Sequence, residues 1–110
     1  IRQKINVRKA NKQKITVVAS RPHRSPELED FISKRKVERS ISSGSSLKFC
    51  LIAEGDADIY PGTGPTMEWD TAAGHAVLIA AGGNMTNFDG TQFQYAKPDF
   101  LNGWFIANGD

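Results

Sequence analysis

The sequence predicts an α/β domain, because strand and helix signals alternate along one short chain. Three observations carry that expectation. Ile15 to Ser20 is a β-branched run that reads as a buried strand. Ser25-Pro26-Glu27 reads as a helix start, with a capping hydroxyl, proline at the first helical position and an acid at the positive end of the dipole. Trp69 to Ala81 is the strongest helical segment and is stopped by Gly82-Gly83. At 110 residues and 12.1 kDa the chain suits one domain with one modest core.

Taken in order, Lys4 to Arg8 alternates as a half-exposed strand should, and Ile15 to Ser20 follows as the richer strand. The helix opened at Ser25 places Leu28, Phe31 and Ile32 on one face, with Lys34, Arg35 and Lys36 at its C-terminal end. Val37 to Ile41 reads as a short strand. The turn Ser42-Ser43-Gly44-Ser45-Ser46 opens a second helix, Leu47 to Glu54, which Gly55 closes. Ala57 to Tyr60 reads as a strand, and Pro61-Gly62-Thr63-Gly64-Pro65 as an irregular loop. After the third helix, the tail offers short strands around Asp89-Gly90 and at Gly103 to Ala107.

Composition narrows the function. Hydrophobic residues at 39% and charged residues at 24% exclude wholesale disorder. The best apolar run, Ala76 to Ala81, falls far short of the ~18 residues that span a bilayer. A single cysteine, Cys50, excludes an internal disulfide and a thiolate metal cluster, so a reducing, cytoplasmic setting is expected. Cys50 itself reads as a small buried apolar residue. The chain opens at Ile1 rather than methionine, so an N-terminal portion is expected to be missing and targeting stays open.

The net charge of +2 conceals a split: residues 1–48 carry +9 and residues 49–110 carry −7. The basic half either meets an anion or is a solvated face. A non-catalytic anion- or nucleic-acid-binding module is therefore one function class. Against it, Phe31 is the only aromatic residue in the basic half, so platforms for base stacking are scarce.

The most informative segment runs from Gly64-Pro65-Thr66 through Trp69-Asp70-Thr71-Ala72-Ala73-Gly74-His75. A rigid loop delivers an aspartate to a helix start whose first turns are small. Free N–H groups and the helix dipole favour an anion there, and a carboxylate beside them suits a hard cation. The plainer alternative is that Asp70 caps its helix and the small residues pack. Trp69 reads as an anchor between loop and helix. Asp89-Gly90 between apolar residues reads as a hairpin turn.

Trp69-Asp70-Thr71-Ala72-Ala73-Gly74 resembles the W-D-x-A-A-G signature of the inositol monophosphatase superfamily of Mg²⁺-dependent phosphatases. Gly44-Ser45-Ser46-Leu47-Lys48-Phe49-Cys50, Asp58-Ile59-Tyr60-Pro61 and Gly64-Pro65-Thr66 resemble, in order and spacing, the CysQ-type 3′(2′),5′-bisphosphate nucleotidases within it. The likeness covers the whole chain but only the C-terminal half of such an enzyme. The G-x-x-E-E and D-P-[IL]-D-G-T motifs of the N-terminal half are absent.

The resemblance implies a three-layer α/β/α domain with a mixed sheet, residues 1–110 forming the C-terminal domain and the N-terminal metal-binding half lying elsewhere. It implies hydrolysis of the 3′-phosphate of 3′-phosphoadenosine 5′-phosphate, with Mg²⁺ as cofactor, a nucleotide bisphosphate as small-molecule partner and no nucleic acid. An inositol phosphate or another sugar phosphate is the alternative substrate. Cytoplasmic placement is implied, with peripheral contact to the inner membrane face as a further expectation. Asp70 corresponds to a metal ligand near the substrate phosphate. Ser45 and Lys48 correspond to the nucleotide-contacting block; the alternatives are a helix cap and a solvated lysine. His23 falls where relatives place a histidine beside the adenosine, although Pro22 departs from their pattern, and a plain surface histidine is the alternative. Gly62 stands where several relatives place an arginine. For His75 a sheet-facing or solvent-facing position is expected rather than catalysis.

Overall fold

The computed structural model describes residues 4–19, 26–43, 47–63 and 65–109. The elements are β1 (Ile15–Ala19), α1 (Pro26–Ser33), β2 (Val37–Ser42), α2 (Leu47–Ala53), β3 (Ile59–Gly62), α3 (Glu68–Ala80), β4 (Asn84–Asn87) and β5 (Phe105–Asn108). A short 3-10 turn, Pro98–Phe100, precedes the last strand. The sheet order is β2-β1-β3-β5-β4, with β1 parallel to β2 and β3, and β5 antiparallel to β3 and β4. The sheet is mixed, as the resemblance implies.

Alternation along β5 separates the layers. Phe105 and Ala107 join the core with Phe49 of α2 and Leu78 of α3. Ile106, between them, lines a groove with Phe31 of α1, and Phe31 meets Phe88 at 5.5 Å between ring centroids. Helices α2 and α3 therefore share one face of the sheet, and α1 takes the other. Phe49, Tyr60 and Phe105 lock that core: Phe49 stacks on Phe105 at 5.9 Å, and Tyr60 meets both edge-on.

Several elements differ from the sequence expectation. Lys4 to Arg8 is not a strand; its alternation reflects anchoring by single groups instead. The Val7 N–H donates to the Ala81 carbonyl at 3.0 Å, and Arg8 reaches Asp58. Pro61 and Gly62 belong to β3 rather than to a loop. Pro61 pairs with Ile106 on one side, and among the described residues the β1–β3 bridge is at Val17 and Ile59, two positions before Pro61, so the missing N–H costs little. Lys34 to Lys36 fall beyond α1, which ends at Ser33. Asp89-Gly90 is the expected turn: Gly90 has φ +87°, and Asp89 Oδ1 accepts from the Thr91 N–H at 2.9 Å. Among the described residues, no helix is long and apolar enough to cross a membrane.

Asp58 ties the N-terminal segment to the sheet. Its side chain is buried, accepts Arg8 Nε and Nη2 at 2.8 and 2.9 Å, and also accepts the Thr16 N–H at 2.8 Å. Burial pushes this carboxyl up, but the Arg8 guanidinium and the Thr16 amide outweigh it and hold it below the ordinary aspartate range. The stabilisation is complete above the unfolded value near ~3.9 and is lost as pH falls through the lower folded value. Asp58→Asn should cost about 3 kcal/mol at neutral pH, by leaving Arg8 unpaired. Thermal melts should show the gap to the parent chain closing below about pH 4. A pH-independent gap would assign the loss to packing instead.

Close approach of α2 to α3 rests on Gly74. A Cβ there would lie 2.5 Å from Phe49 Cδ2 and 3.0 Å from Phe49 Cβ, so the helices would have to separate. Gly74→Ala should destabilise by about 1–2 kcal/mol, the overpacking exceeding the roughly 1 kcal/mol gained in helix propensity. Denaturant unfolding measures it, and an unchanged midpoint would show the contact to be loose.

Candidate active site

Helices α2 and α3 each follow a parallel strand, so both begin at the carboxyl edge of the sheet, where open α/β sheets place their ligand crevices. That topology brings Lys48, in the first turn of α2, and Asp70, in the first turn of α3, to the same edge. Ser45 and His23, the other expected contacts, lie outside the described residues, as do Ser25 and Gly44.

Lys48 is not a solvated lysine. It is only 6% exposed, its Nζ stands 3.4 Å from the Ser43 carbonyl and 5.1 Å from the centre of the Tyr60 ring. Among the described residues no carboxylate lies within ion-pair distance of it. Burial holds the ammonium below the ordinary lysine range. A cation kept out of water with one weak acceptor and one ring face beside it is prepared for an anion.

Asp70 is exposed and closes a capping box. Its Oδ2 accepts the Met67 N–H at 2.8 Å, and its own N–H donates to the Met67 carbonyl at 2.9 Å. The capping alternative therefore describes a real interaction, but it occupies only Oδ2. The small residues divide by role. Gly74 is buried beneath Phe49, whereas Ala72 and Ala73 are exposed. Trp69 is not an anchor: at 67% exposure it stands on the outer side of α3, in line with exposed Ala72, Ala73 and Ala76. Cys50 is half-buried rather than fully enclosed.

Two residues escaped sequence reasoning. Glu68 is buried and turns away from Asp70 to accept the Ala96 and Lys97 N–H groups at 2.8 and 3.0 Å and Lys97 Nζ at 2.8 Å. Burial pushes its carboxyl up, but Lys97 and the two amides prevail and hold it low. Asn102 Nδ2 donates to the Met67 carbonyl at 2.9 Å and faces Thr66 Oγ1 and Thr71 Oγ1 at 3.1 and 3.2 Å. Asn102 lies in a segment with no periodicity, so only Glu68, an acid at a helix start, left a signal. His75 shares a 2.7 Å hydrogen bond with the Tyr95 hydroxyl and stacks on its ring, and burial holds it below the usual histidine range. It faces neither Lys48 nor Asp70 through any hydrogen bond.

At Gly62, where an arginine is expected from the resemblance, the Phe105 ring lies so close that a Cβ would come within 2.3 Å. This chain has no arginine there, and the Phe105 ring covers the glycine instead. As for a metal, the described residues contain no group of three or more His, Cys, Asp or Glu placed to hold one. Asp70, with one carboxylate oxygen that has no hydrogen-bond partner among the described residues, fits as a single ligand.

Comparison with known proteins identifies the family. Residues 2–107 match the inositol monophosphatase family. The chain is 44% identical over 106 residues to the 3′(2′),5′-bisphosphate nucleotidase CysQ of Salmonella typhimurium, covering 96% of this chain and 42% of that protein. The Escherichia coli K12 protein of the same name is 45% identical over the same length. Among solved structures, CysQ from Bacteroides thetaiotaomicron superposes with a TM-score of 0.78 at 47% identity, over 94% of this chain and 40% of that one. An inositol monophosphatase from Anabaena, 24% identical with a TM-score of 0.74, shares the fold. The chain spans about two fifths of the length of these relatives. It belongs to the inositol monophosphatase family.

Proposed function

We propose that residues 1–110 form the C-terminal α/β domain of a Mg²⁺-dependent phosphatase that removes the 3′-phosphate of 3′-phosphoadenosine 5′-phosphate. The observation that carries this reading is Lys48: a buried ammonium without a carboxylate among the described residues, on the same sheet edge as Asp70. Lys48, together with a cation that Asp70 would hold, would give two separate positive positions, which suit a substrate with two phosphates. The relatives' name, bisphosphate nucleotidase, supports the same substrate class.

In the proposed reaction a water oxygen bonds to phosphorus as the bond to the 3′ oxygen breaks. The water gives up one proton and the 3′ oxygen takes one up, leaving AMP and inorganic phosphate. Lys48 holds the phosphate that does not react, through a charge-assisted hydrogen bond in a dry setting. Asp70 offers its uncommitted carboxylate oxygen to the cation while the Met67 amide fixes the other. Mg²⁺, when bound, supplies positive charge that stabilises the phosphoryl group as it transfers. Its remaining ligands would come from an N-terminal half, which also suits the apolar outer side of α3. The working compartment proposed is the cytoplasm.

The structure weakens the rival binding module. Several cations of the basic half are already engaged: Arg8 on Asp58, Lys34 on Asp30 at 2.9 Å, Lys36 on Gln13 at 2.6 Å, and Arg35 over the Phe31 ring at 3.5 Å. A nucleic-acid binder would show oligonucleotide affinity falling steeply with salt.

Three measurements test the proposal. In a chain joined to the N-terminal half, Lys48→Ala should raise KM for the bisphosphate nucleotide about ten-fold or more and affect a monophosphate less. Equal losses on both, or faster hydrolysis of an inositol phosphate, would remove the nucleotide assignment. Asp70→Asn keeps an acceptor for the Met67 amide but loses the charge, so Mg²⁺-dependent turnover should collapse with thermal stability near that of the parent. Full activity would leave Asp70 as a cap alone. The 110-residue chain by itself, assayed with millimolar Mg²⁺, should show no turnover above its Asp70→Asn variant.

A further inference from the structure

The segment from Gln94 to Asn102 carries three non-glycine residues in the left-handed region: Ala96 at φ 63°, Asp99 at φ 55° and Phe100 at φ 55°. Such residues cost energy, so their surroundings must hold them there. The holding groups converge on the first turn of α3. Glu68 fixes Ala96 and Lys97 through their N–H groups and pairs with Lys97 Nζ. Lys97 Nζ in turn donates to Asn102 Oδ1 at 3.1 Å, which sets the direction of the Asn102 amide. The Asn102 N–H donates to the Thr66 carbonyl at 3.0 Å, and Leu101 bridges to Met67 as an antiparallel pair. Asn102 Nδ2 then reaches the Met67 carbonyl. The N–H of the same Met67 residue holds Asp70 Oδ2.

We propose that Asn102, oriented by the Glu68–Lys97 pair, is a positioning residue that fixes Met67 and thereby aims the Asp70 carboxylate at its cation. The inference rests on the reading of Asp70 as a metal ligand. Asn102 itself touches neither cation nor substrate. Its role is to keep the Met67 N–H pointing at Oδ2, so that the other oxygen keeps one direction. Met67 shows that a cap side chain is not doing this: the residue before α3 offers no hydroxyl or carboxylate, and the strained segment supplies the polar groups instead. Buried Glu68 is accounted for at the same time, because its bonds all go to this segment rather than toward Asp70.

The test uses the 110-residue chain, ¹⁵N-labelled, with Mn²⁺ as the probe ion. Paramagnetic broadening of amides around Asp70 gives the ion concentration at half effect, and hydrogen exchange gives the protection of the Met67 amide. Asn102→Asp, which puts an acceptor where Nδ2 donates, and Lys97→Met should each speed Met67 exchange about five- to ten-fold. Both should raise the half-effect Mn²⁺ concentration about 10- to 100-fold, as loss of groups that orient a ligand does. Amides of β1 should keep their protection, and Lys97→Arg should restore both readings. Unchanged Met67 exchange and Mn²⁺ response in Asn102→Asp would overturn the inference. So would loss of protection spread equally over β1, which marks a merely structural role. If the parent chain shows no broadening around Asp70, the ligand reading fails, and Met67 exchange still decides whether Asn102 positions the carboxylate.

Discussion

Much of the molecule depends on one close contact, the Phe49 ring held between Gly74 and Phe105. On one side the ring stacks on Phe105, which itself lies over Gly62 at the end of β3. On the other side it rests on the α3 backbone at Gly74, with no room for a methyl group between them. Two glycines thus let two aromatic rings fill the space between sheet and helices at full density. The stack sets how near α3 comes to α2 and to β3. Lys48 precedes Phe49, and Asp70 lies one turn before Gly74. The separation of those two charged side chains is therefore set by apolar packing.

Charge is distributed on the same economical basis. The two buried carboxylates, Asp58 and Glu68, are each satisfied by one cation and by backbone amides, and each fastens an irregular segment to a regular element. Asp58 fastens the N-terminal stretch to β1, and Glu68 fastens the segment after Phe93 to α3. Buried charges arranged in this way are structural. Lys48 breaks the pattern. It is as buried as the two acids, yet its only described acceptor is a carbonyl at 3.4 Å. The exception is at the sheet edge where a ligand is expected, which is why it carries more functional weight than the larger excess of cations in the first half.

Legibility of the sequence followed the physics of each signal. β-Branched runs, a Pro at a helix start and glycines at turns report on local conformation, and β1, α1, α2, α3 and the Asp89-Gly90 turn all stand where those signals put them. Alternation from Lys4 to Arg8 misled, because period two marks a strand only where a neighbouring strand can pair. Here Val7 and Arg8 are held by Ala81 and Asp58 instead. Pro61 and Gly62 suggested a loop, yet both continue β3 by pairing with Ile106 and Phe105 of β5. Trp69 suggested an anchor from its size alone, and size does not say which side of a helix is covered. The site was legible where it lay in helix starts. Asn102 and Lys97 were not, since the residues of α3 and its approach that hold them are 29 to 36 residues away and left-handed backbone at Ala96, Asp99 and Phe100 has no signature in those residue types.

In the proposed reading, Asp70 satisfies both a fold and a reaction. A capping box needs an acceptor at the third helical position; asparagine, serine or threonine would also supply one. The helix dipole favours a negative charge there, but Glu68, two residues earlier, already brings one to the same turn. Local stability therefore accounts for an oxygen at this position and not for a second carboxylate, left exposed beside the buried Glu68. What remains to be explained is the uncommitted oxygen of Asp70, beside a Met67 peptide that Asn102 and Leu101 hold from the other side. An arrangement that spends hydrogen bonds on the direction of an exposed carboxylate makes physical sense when that carboxylate must meet a cation from a fixed direction. The backbone strain carried between Ala96 and Phe100 is then the cost of that fixed direction.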